Sequence, residues 1–453
     1  MEPLNPISAL GFFKEEPPKF LSKDEPKLNA FISELKSALG DKPTDSYHAN
    51  LLKKGKPLIK HIVTESIELL SDTYNLPRDR AKAFIQSFID SFSNFEELLF
   101  GLDPNHRDHT LHSLWVYLFG HQWIANMGGY DKIQIAGQMN MIYLEEGKPT
   151  FALSPIPLKC GIPHLEAMWA MIPILHDLGY PVQTISNEAN VIFGKILGPF
   201  AIDFGSIFQI DMGSRIAVLH QNIGDLVSTM YRPEGLDEKK RKEKSKEAAE
   251  IKNDQKSLPN WIHQPTTTKD EELEIEYKIA WANKNHSAWS ATFAFKNIPC
   301  LHESDFHGGG NIDYLKLMTR RDIIYSILHH TSQEPKDLAV NRFQFILLFI
   351  DEIEECARFG KGGEPRGIAS DYCDLYWGFE KEKLELTLDF SKYKYRATEK
   401  YTELSQKFRA QISRSGNYKI ELLFLDKKDK GFEESLELFF TKDSGSGIES
   451  VPS

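Results

Sequence analysis

The stretch PHLEAMWAMIPILHDLGYP, residues 163–181, decides the expected fold. Its apolar side chains recur with the spacing of a buried helix, Pro163 suits the first turn, and Gly179 follows shortly after the expected end. The helix would end at His176 and Asp177, two side chains that bind metals well. The negative end of a helix dipole favours a bound cation by about 0.3–1 kcal/mol. The sequence therefore predicts a cation site at the carboxyl end of this helix.

Other stretches with helical texture also carry side chains able to bind a metal. They are His109 and His112 in HRDHTLHSLWVYLFG (106–120), His307 in LHESDFHGGG (301–310), His329 and His330 in ILHHT (327–331), and Asp351 directly after FQFILLFI (343–350). A buried acid is costly unless it is paired or bound to a metal, so either Arg358 or a metal is expected beside Asp351. Mixed imidazole and carboxylate ligands are typical of sites for Mn, Fe, Co, Ni, Mg or Zn.

The order His, His-Asp, Asp resembles the HD-domain superfamily of metal-dependent phosphohydrolases over about residues 100–360. HSLWVYLFG resembles the segment of the family's first histidine, ILHDLGYP the HD motif, and LLFIDEIEECAR the aspartate of the last helix. The resemblance implies a mainly α fold, an HD-domain helical bundle with insertions. It also implies a ligand set of His112, His176, Asp177 and Asp351.

Two further stretches are similar to the additional histidine sites of family members that hold two metals. These are FHGGGNIDYLKLM and IIYSILHHT. The similarity implies a second ion bound by His307 and by His329 or His330, with Asp177 bridging both ions. The implied cofactor is thus one or two divalent ions of Mn, Fe, Mg, Co, Ni or Zn.

The function implied by the resemblance is hydrolysis of a phosphoester or phosphoanhydride by a metal-activated water. A (deoxy)nucleoside phosphate is the expected substrate. Two alternatives stay open: a phosphodiesterase acting on a cyclic or oligomeric signalling nucleotide, and a non-catalytic HD-fold nucleotide sensor. Deoxynucleoside triphosphate hydrolases of the family have Arg where this chain has His109. Tyr180 stands where related enzymes have His or Glu, and the signature of cyclic-di-GMP phosphodiesterases is absent.

Several residues near the motifs are candidates for roles beyond metal binding. Asp177, His109 and Arg107 are the catalytic candidates. His109 would either support a metal ligand from behind or donate a proton to the leaving oxygen, and Arg107 would clamp phosphate. Arg107, Tyr180 and Arg321 are the candidates for substrate binding. Other histidines are expected to be structural or to face solvent, namely His106, His121, His164, His220, His263 and His286.

The pattern along the chain predicts three parts. Residues 1–55 are an N-terminal arm, 56–370 an HD-type helical domain, and 371–453 a small α/β domain. Within the helical domain, 128–161 is less regular, and 232–260 is highly charged and expected to be a mobile insertion. In the last part the alternation predicts strands at KLELTLDF (383–390), YKIELLFLD (418–426) and ESLELFF (434–440), with a helix at TEKYTELSQKFRAQI (398–412).

The composition restricts the partners. The 453 residues carry a net charge of −11, which disfavours general binding of nucleic acid or anionic membranes and leaves a small nucleotide or phosphoester as the expected partner. FQFILLFI is far shorter than the roughly 20 residues of a membrane span. Cys160, Cys300, Cys356 and Cys373 form no CxxC, which predicts reduced thiols in a cytoplasmic protein. Homo-oligomer formation stays open.

Overall fold

A computed structural model describes a set of segments that together contain most of the motifs. They are residues 1–41, 47–73, 109–133, 138–145, 148–155, 161–181, 230–233, 261–263, 285–297, 314–331, 339–354, 373–380, 382–392, 396–412, 416–428 and 431–440, with 82–83, 86–87, 89–91, 94, 135 and 183. Most of these residues are helical, and a small mixed sheet of five strands lies toward the carboxyl end. The predicted combination of a mainly helical protein with a small α/β part is confirmed at this level.

In the described part of the chain, eight helices lie before residue 374, where the later strands of the five-stranded sheet begin. They are α1 (Pro6–Glu15), α2 (Glu25–Leu39), α3 (Tyr47–Thr73), α4 (Thr110–Asn126), α5 (Ile162–Leu175), α6 (His286–Asn297), α7 (Tyr314–His329) and α8 (Phe343–Glu354), with 3-10 turns at Lys19–Asp24 and Tyr130–Lys132. Helices α4 and α5 are buried on nearly every side. A helix that is apolar all round belongs at the centre of a bundle, and these two occupy that place.

Close packing of α4 against α5 brings the first two motifs together. A Cβ atom on Gly120 would lie only 1.9 Å from the ring of Trp169, so only glycine fits there. The indole nitrogen of Trp169 also donates to the carbonyl oxygen of Tyr117 at 3.1 Å. Because the helices are antiparallel, this contact sets the start of α4, with His112, beside the end of α5, with His176.

The amino-terminal segment packs onto this core. Leu10, Phe13 and Ile32 of α1 and α2 are fully buried. Helix α3, however, crosses residue 55, where the boundary of the arm was predicted. It continues through Pro57 because buried leucines on both sides of that residue keep one apolar face against the core.

The strands of the five-stranded sheet are β1 (Glu2–Pro3), β6 (Asp374–Glu380), β7 (Lys383–Asp389), β8 (Tyr418–Asp426) and β9 (Phe432–Phe440). They lie side by side in the order β1-β6-β7-β8-β9. Neighbours are antiparallel except β7 and β8, which are parallel and joined through α9 (Ala397–Lys407) and α10 (Arg409–Ile412). The three predicted strands and the helix are confirmed, whereas β1 and β6 were not predicted.

The sheet packs directly on the helical core. The ring of Trp123 in α4 lies 5.8 Å from that of Phe379, and Phe345 in α8 lies 4.6 Å from Phe440. Two lysines of α9 also reach Glu352 in α8. The sheet and its helix therefore support α8, the helix that contains Asp351.

A second sheet has two of its four strands in the part that was predicted to be less regular. It has the order β3-β2-β4-β5, with β2 (Gln138–Glu145), β3 (Lys148–Pro155), β4 (Met230–Pro233) and β5 (Trp261–His263). The expectation for 128–161 is corrected by β2 and β3, which form an antiparallel hairpin. The charged stretch 232–260 begins inside β4, and its residues 234–260 lie outside the described part.

Among the described residues, no helix is both long enough and apolar enough to cross a membrane. Cys373 is buried. The other three cysteines lie outside the described ranges.

Candidate metal centre

Four histidines and two aspartates from five helices meet at one end of the bundle. They are His112 in α4, His176 and Asp177 directly after α5, His286 at the start of α6, His330 directly after α7, and Asp351 in α8. All are buried or nearly so; the side chains of Asp351 and His286 keep 19% and 21% exposure. The centre therefore has a buried base and a solvent-facing edge.

The first group consists of His112, His176 and Asp351. Nε2 of His112 lies 2.9 Å from Oδ1 of Asp351 and 3.2 Å from Nε2 of His176, and the third pair of atoms is 3.7 Å apart. Two donors that each lie about 2.1 Å from one ion are separated by roughly 3.0 to 3.4 Å. The spacing of the three atoms is thus close to that of ligands of a single ion.

The second group consists of His176, Asp177 and His330, and His286 adjoins it. Nε2 of His286 lies 3.0 Å from Nε2 of His330 and 3.4 Å from Oδ1 of Asp177. The other oxygen of Asp177, Oδ2, lies 3.4 Å from Nε2 of His176. The two oxygens of one carboxylate thus face different histidines, an arrangement suited to bridging two neighbouring ions.

The contacts of Nδ1, the ring nitrogen that faces away from the centre, show where each imidazole carries a proton. Nδ1 of His176 donates to the carbonyl oxygen of Pro173 at 2.5 Å, and Nδ1 of His330 donates to that of Ile327 at 2.6 Å. When Nδ1 carries the proton, Nε2 of a neutral imidazole has a lone pair. Both histidines therefore present Nε2 as a ligand atom, and a hydrogen bond of this kind is typical of metal-binding histidines.

The same holds for the other two histidines of the centre. Nδ1 of His286 donates to Oε1 of Gln183 at 2.7 Å, an oxygen that also accepts from the backbone N–H of His286. Nδ1 of His112 donates to a carboxylate oxygen of Glu354. When these imidazoles are neutral, they place lone pairs face to face in the pairs His112–His176 and His286–His330. Such pairs repel unless a cation lies between them, so the donor set fits a metal.

Electrostatics favour the ionisation states that a metal requires. Burial raises the pKa of Asp177, but the nearby His176 and His109 outweigh that effect and hold it well below the usual range. Burial likewise raises the pKa of Asp351, but the adjacent imidazoles of His112 and His176 outweigh that effect and hold it well below the usual range. Burial, followed by repulsion from His176 and His286, lowers the pKa of His330 to about 3. Two anionic carboxylates and a neutral imidazole result, which are the forms that bind a cation.

His109 and Tyr180 lie beside the carboxylate of Asp177. Nδ1 of His109 donates to Oδ2 of Asp177 at 2.9 Å. The ring of Tyr180 stacks on His109 with a centroid distance of 3.5 Å, and its edge faces His286 at 6.3 Å. His109 therefore orients Asp177, and Tyr180 packs on His109 and is partly exposed at the rim.

Gly179 has a different role from the helix stop that its position suggested. Its φ is not positive; instead, a Cβ atom there would lie 2.2 Å from the carbonyl oxygen of His286 and 2.6 Å from the backbone nitrogen of Ser290. Its own N–H donates to the hydroxyl of Ser290 at 2.7 Å. The missing side chain lets α6 approach the His-Asp turn, and this approach sets His286 opposite Asp177.

The structure brings together most of the residues predicted for the site. His109, His112, His176, Asp177, Tyr180, His330 and Asp351 share the centre. His329 belongs to neither group, and its ring packs on Tyr325 at 4.4 Å. Arg107 and His307 lie outside the described residues, as does Arg358. Arg321 lies in α7, and its side chain is outside the described part.

Sequence reasoning missed three side chains of the centre. His286 was expected to be structural or to face solvent, and neither Gln183 nor Glu354 was considered. Glu354 had a recognisable signal, because it follows Asp351 by three residues and so shares its helix face. His286 and Gln183 had none, since they reach the site only through the packing of α6 on the turn at Gly179.

Comparison with known proteins adds no neighbour to this description. No protein-family model matches the chain, and neither the curated proteins nor the solved structures contain a significant match.

Proposed function

We propose that the protein is a metal-dependent phosphohydrolase of the HD-domain type that acts on a nucleotide. The observation that carries the proposal is the meeting of His112, His176, Asp177 and Asp351 in one centre. These residues come from distant parts of the chain and are the four that the HD motifs single out. The HD fold, the catalytic activity and the substrate class are all part of this proposal.

The proposal assigns one ion to His112, His176 and Asp351, and a second to His330, His286 and Asp177, with His176 adjoining both. Nitrogen-rich sites with some carboxylate favour Mn, Fe, Co, Ni or Zn over Mg or Ca. A bound divalent ion would polarise the phosphoryl oxygens and lower the pKa of a water molecule. The exposed edges of Asp351 and His286 leave this side open to a phosphate group.

The remaining residues handle the substrate and the proton. In hydrolysis, the oxygen of water forms a bond to phosphorus, the bond from phosphorus to the leaving oxygen breaks, and the leaving oxygen takes up a proton. The proposal gives that proton transfer to His109, which Asp177 and Tyr180 hold in a fixed orientation. Tyr180, at the rim, is assigned to contact with the substrate.

A substrate panel tests the proposal. The purified chain is incubated with Mn²⁺, Co²⁺, Ni²⁺, Zn²⁺ or Mg²⁺ and with nucleoside mono- and triphosphates, cyclic dinucleotides, linear oligonucleotides and a generic phosphodiester, and the products are separated by chromatography. We expect turnover of a nucleoside phosphate. Turnover only of cyclic or oligomeric nucleotides would assign phosphodiesterase activity instead. Nucleotide binding without turnover would indicate a sensor.

Three variants show whether the centre performs the reaction. Asp177→Ala and His330→Gln should abolish turnover, since both remove a side chain from the metal-binding groups. His329→Gln is the matched control, because it changes the neighbouring histidine, whose ring packs on Tyr325. Equal turnover by wild type and Asp177→Ala would refute the catalytic assignment.

A further inference from the structure

Two acids of a single turn of α8 contact the two ring nitrogens of one histidine. Oδ1 of Asp351 lies 2.9 Å from Nε2 of His112. A carboxylate oxygen of Glu354, three residues further on, accepts the hydrogen bond from Nδ1 of the same ring. The imidazole of His112 is thus enclosed between the metal-facing acid and a second acid behind it.

We propose that Glu354 is a positioning residue of the metal centre: by holding the Nδ1 proton of His112, it keeps Nε2 directed at the ion. This inference rests on the proposed metal centre but not on the identity of the substrate. Nδ1 must be the donor because its partner is a carboxylate oxygen. With the proton fixed at Nδ1, the lone pair of Nε2 points toward His176 and Asp351.

The partner of His112 differs in kind from those of the other three histidines of the centre. His176 and His330 donate to backbone carbonyls, and His286 donates to the amide of Gln183. A carboxylate behind an imidazole makes it a stronger donor to the metal than a neutral acceptor does. His112 is therefore expected to contribute more to metal affinity than a histidine held by a carbonyl.

The burial of Glu354 supports a role of this kind. Its side chain is fully buried, as is that of His112. A carboxylate in such a position loses its hydration, and an apolar residue of similar size is cheaper for stability alone. Glu352 in the same turn points the other way, to lysines of α9. The turn thus directs one acid to the ring of His112 and another to α9, the helix next to the five-stranded sheet.

Metal binding by the metal-free full-length chain tests the assignment. Mn²⁺ affinity is measured by calorimetry for the wild type, E354A, E354Q and E352Q, and the binding step that belongs to His112 is identified as the one lost in H112Q. We expect E354A to weaken that step about 10- to 100-fold. E354Q should lose roughly three- to tenfold, because an amide oxygen still accepts from Nδ1 but carries no charge. The matched control E352Q should bind within twofold of wild type.

A spectroscopic measurement distinguishes positioning from general stability. The visible absorption of bound Co²⁺ reports its ligands, so E354A should change the band that H112Q changes, and E352Q should leave it as in wild type. If E354A does not fold, E354Q carries the test through its affinity and its spectrum.

The proposal is overturned if E354Q or E354A binds Mn²⁺ within twofold of wild type, if E352Q weakens binding as much, or if the wild type binds no divalent ion. Metal binding that depends on Glu354 without hydrolysis of any substrate would refute the proposed function alone. If the protein hydrolyses a substrate but its metal binding does not depend on Glu354, only this inference is refuted.

Discussion

Gly179 lies directly against the backbone of His286, at a distance that leaves no room for a Cβ atom. The contact joins the His-Asp turn to the first turn of α6, two segments that are far apart in the chain. It sets Nε2 of His286 at 3.4 Å from Asp177 and at 3.0 Å from His330. The position of His286 beside the second candidate metal group thus depends on the absence of one side chain.

Gly179→Ala should separate α6 from the turn. A methyl group in a fully packed contact costs about 1–3 kcal/mol, and the backbone atoms of His286 and Ser290 cannot rotate away as a side chain can. We expect a lower thermal midpoint and loss of one metal-binding step in calorimetry. Gly11→Ala is the control, because its nearest neighbour is the end of Lys36 at 3.5 Å, and alanine within a helix is favourable. A midpoint for Gly179→Ala equal to wild type would contradict the close approach.

Divalent ions should stabilise the folded chain. A ligand that binds only the folded state at 100 times its Kd adds about 2.7 kcal/mol, so Co²⁺, Ni²⁺, Zn²⁺ or Mn²⁺ should raise the thermal midpoint by several degrees and a chelator should reverse the rise. Ca²⁺ should have little effect, because it prefers oxygen ligands. The rise should shrink in Asp351→Asn and persist in Asp131→Asn, a variant of a partly exposed acid in the 3-10 turn at Tyr130–Lys132. Equal rises for Ca²⁺ and Co²⁺ would contradict the nitrogen-rich site.

Glu166 in α5 should make stability depend on pH. Burial raises the pKa of Glu166 to about 7, although the backbone N–H groups of Phe20 and Lys19 partly oppose it. The folded pKa thus lies above the unfolded one, so the group's contribution is fully present below about pH 4.5 and is lost as pH rises through about 7. Glu166→Gln removes the charge but keeps an oxygen for the N–H of Phe20.

We therefore expect Glu166→Gln to unfold at a higher temperature than wild type at pH 8, by an amount worth up to about 3 kcal/mol, and at nearly the same temperature at pH 5. Thermal unfolding followed by circular dichroism at several pH values measures the difference. Glu34→Gln serves as the control, since its side chain is 56% exposed. A difference that did not grow between pH 5 and 8 would show that Glu166 titrates normally.

The ion pairs of Glu352 should couple α8 to α9, the helix next to the five-stranded sheet. Lys400 lies 3.4 Å from Glu352, Lys407 contacts its other oxygen, and all three side chains are at most 14% exposed. Ion pairs with this degree of burial are intermediate between surface pairs and fully buried pairs. Breaking them by Glu352→Gln should therefore lower the free energy of unfolding by about 1–3 kcal/mol. A double-mutant cycle with Lys407→Met measures the coupling in urea. A coupling near zero would mean that the apolar contacts alone hold the two parts together.

Much of the fold and part of the candidate centre could be predicted from local patterns in the sequence. The apolar periodicity of α4, α5 and α8 and the alternation in β7, β8 and β9 are properties of neighbouring residues, so they can be seen in the sequence. The set of four residues at the motifs, His112, His176, Asp177 and Asp351, was named from the resemblance of those motifs to the HD-domain superfamily. The short β1 was missed because it pairs with β6, which lies far along the chain. The hairpin of β2 and β3 was missed although its two strands are neighbours in the sequence.

The sequence by itself determined which side chains stand at the ends and on the faces of helices, because helical and strand periods are local. Only the tertiary structure decided which of them meet. Gln183 reaches His286 across 103 residues and Glu354 reaches His112 across 242, and no periodicity spans such distances. The choice of His330 over His329 likewise depends on the direction in which α7 packs. Glycine is required at position 179 because another helix approaches it closely, and such close packing is a property of two surfaces together.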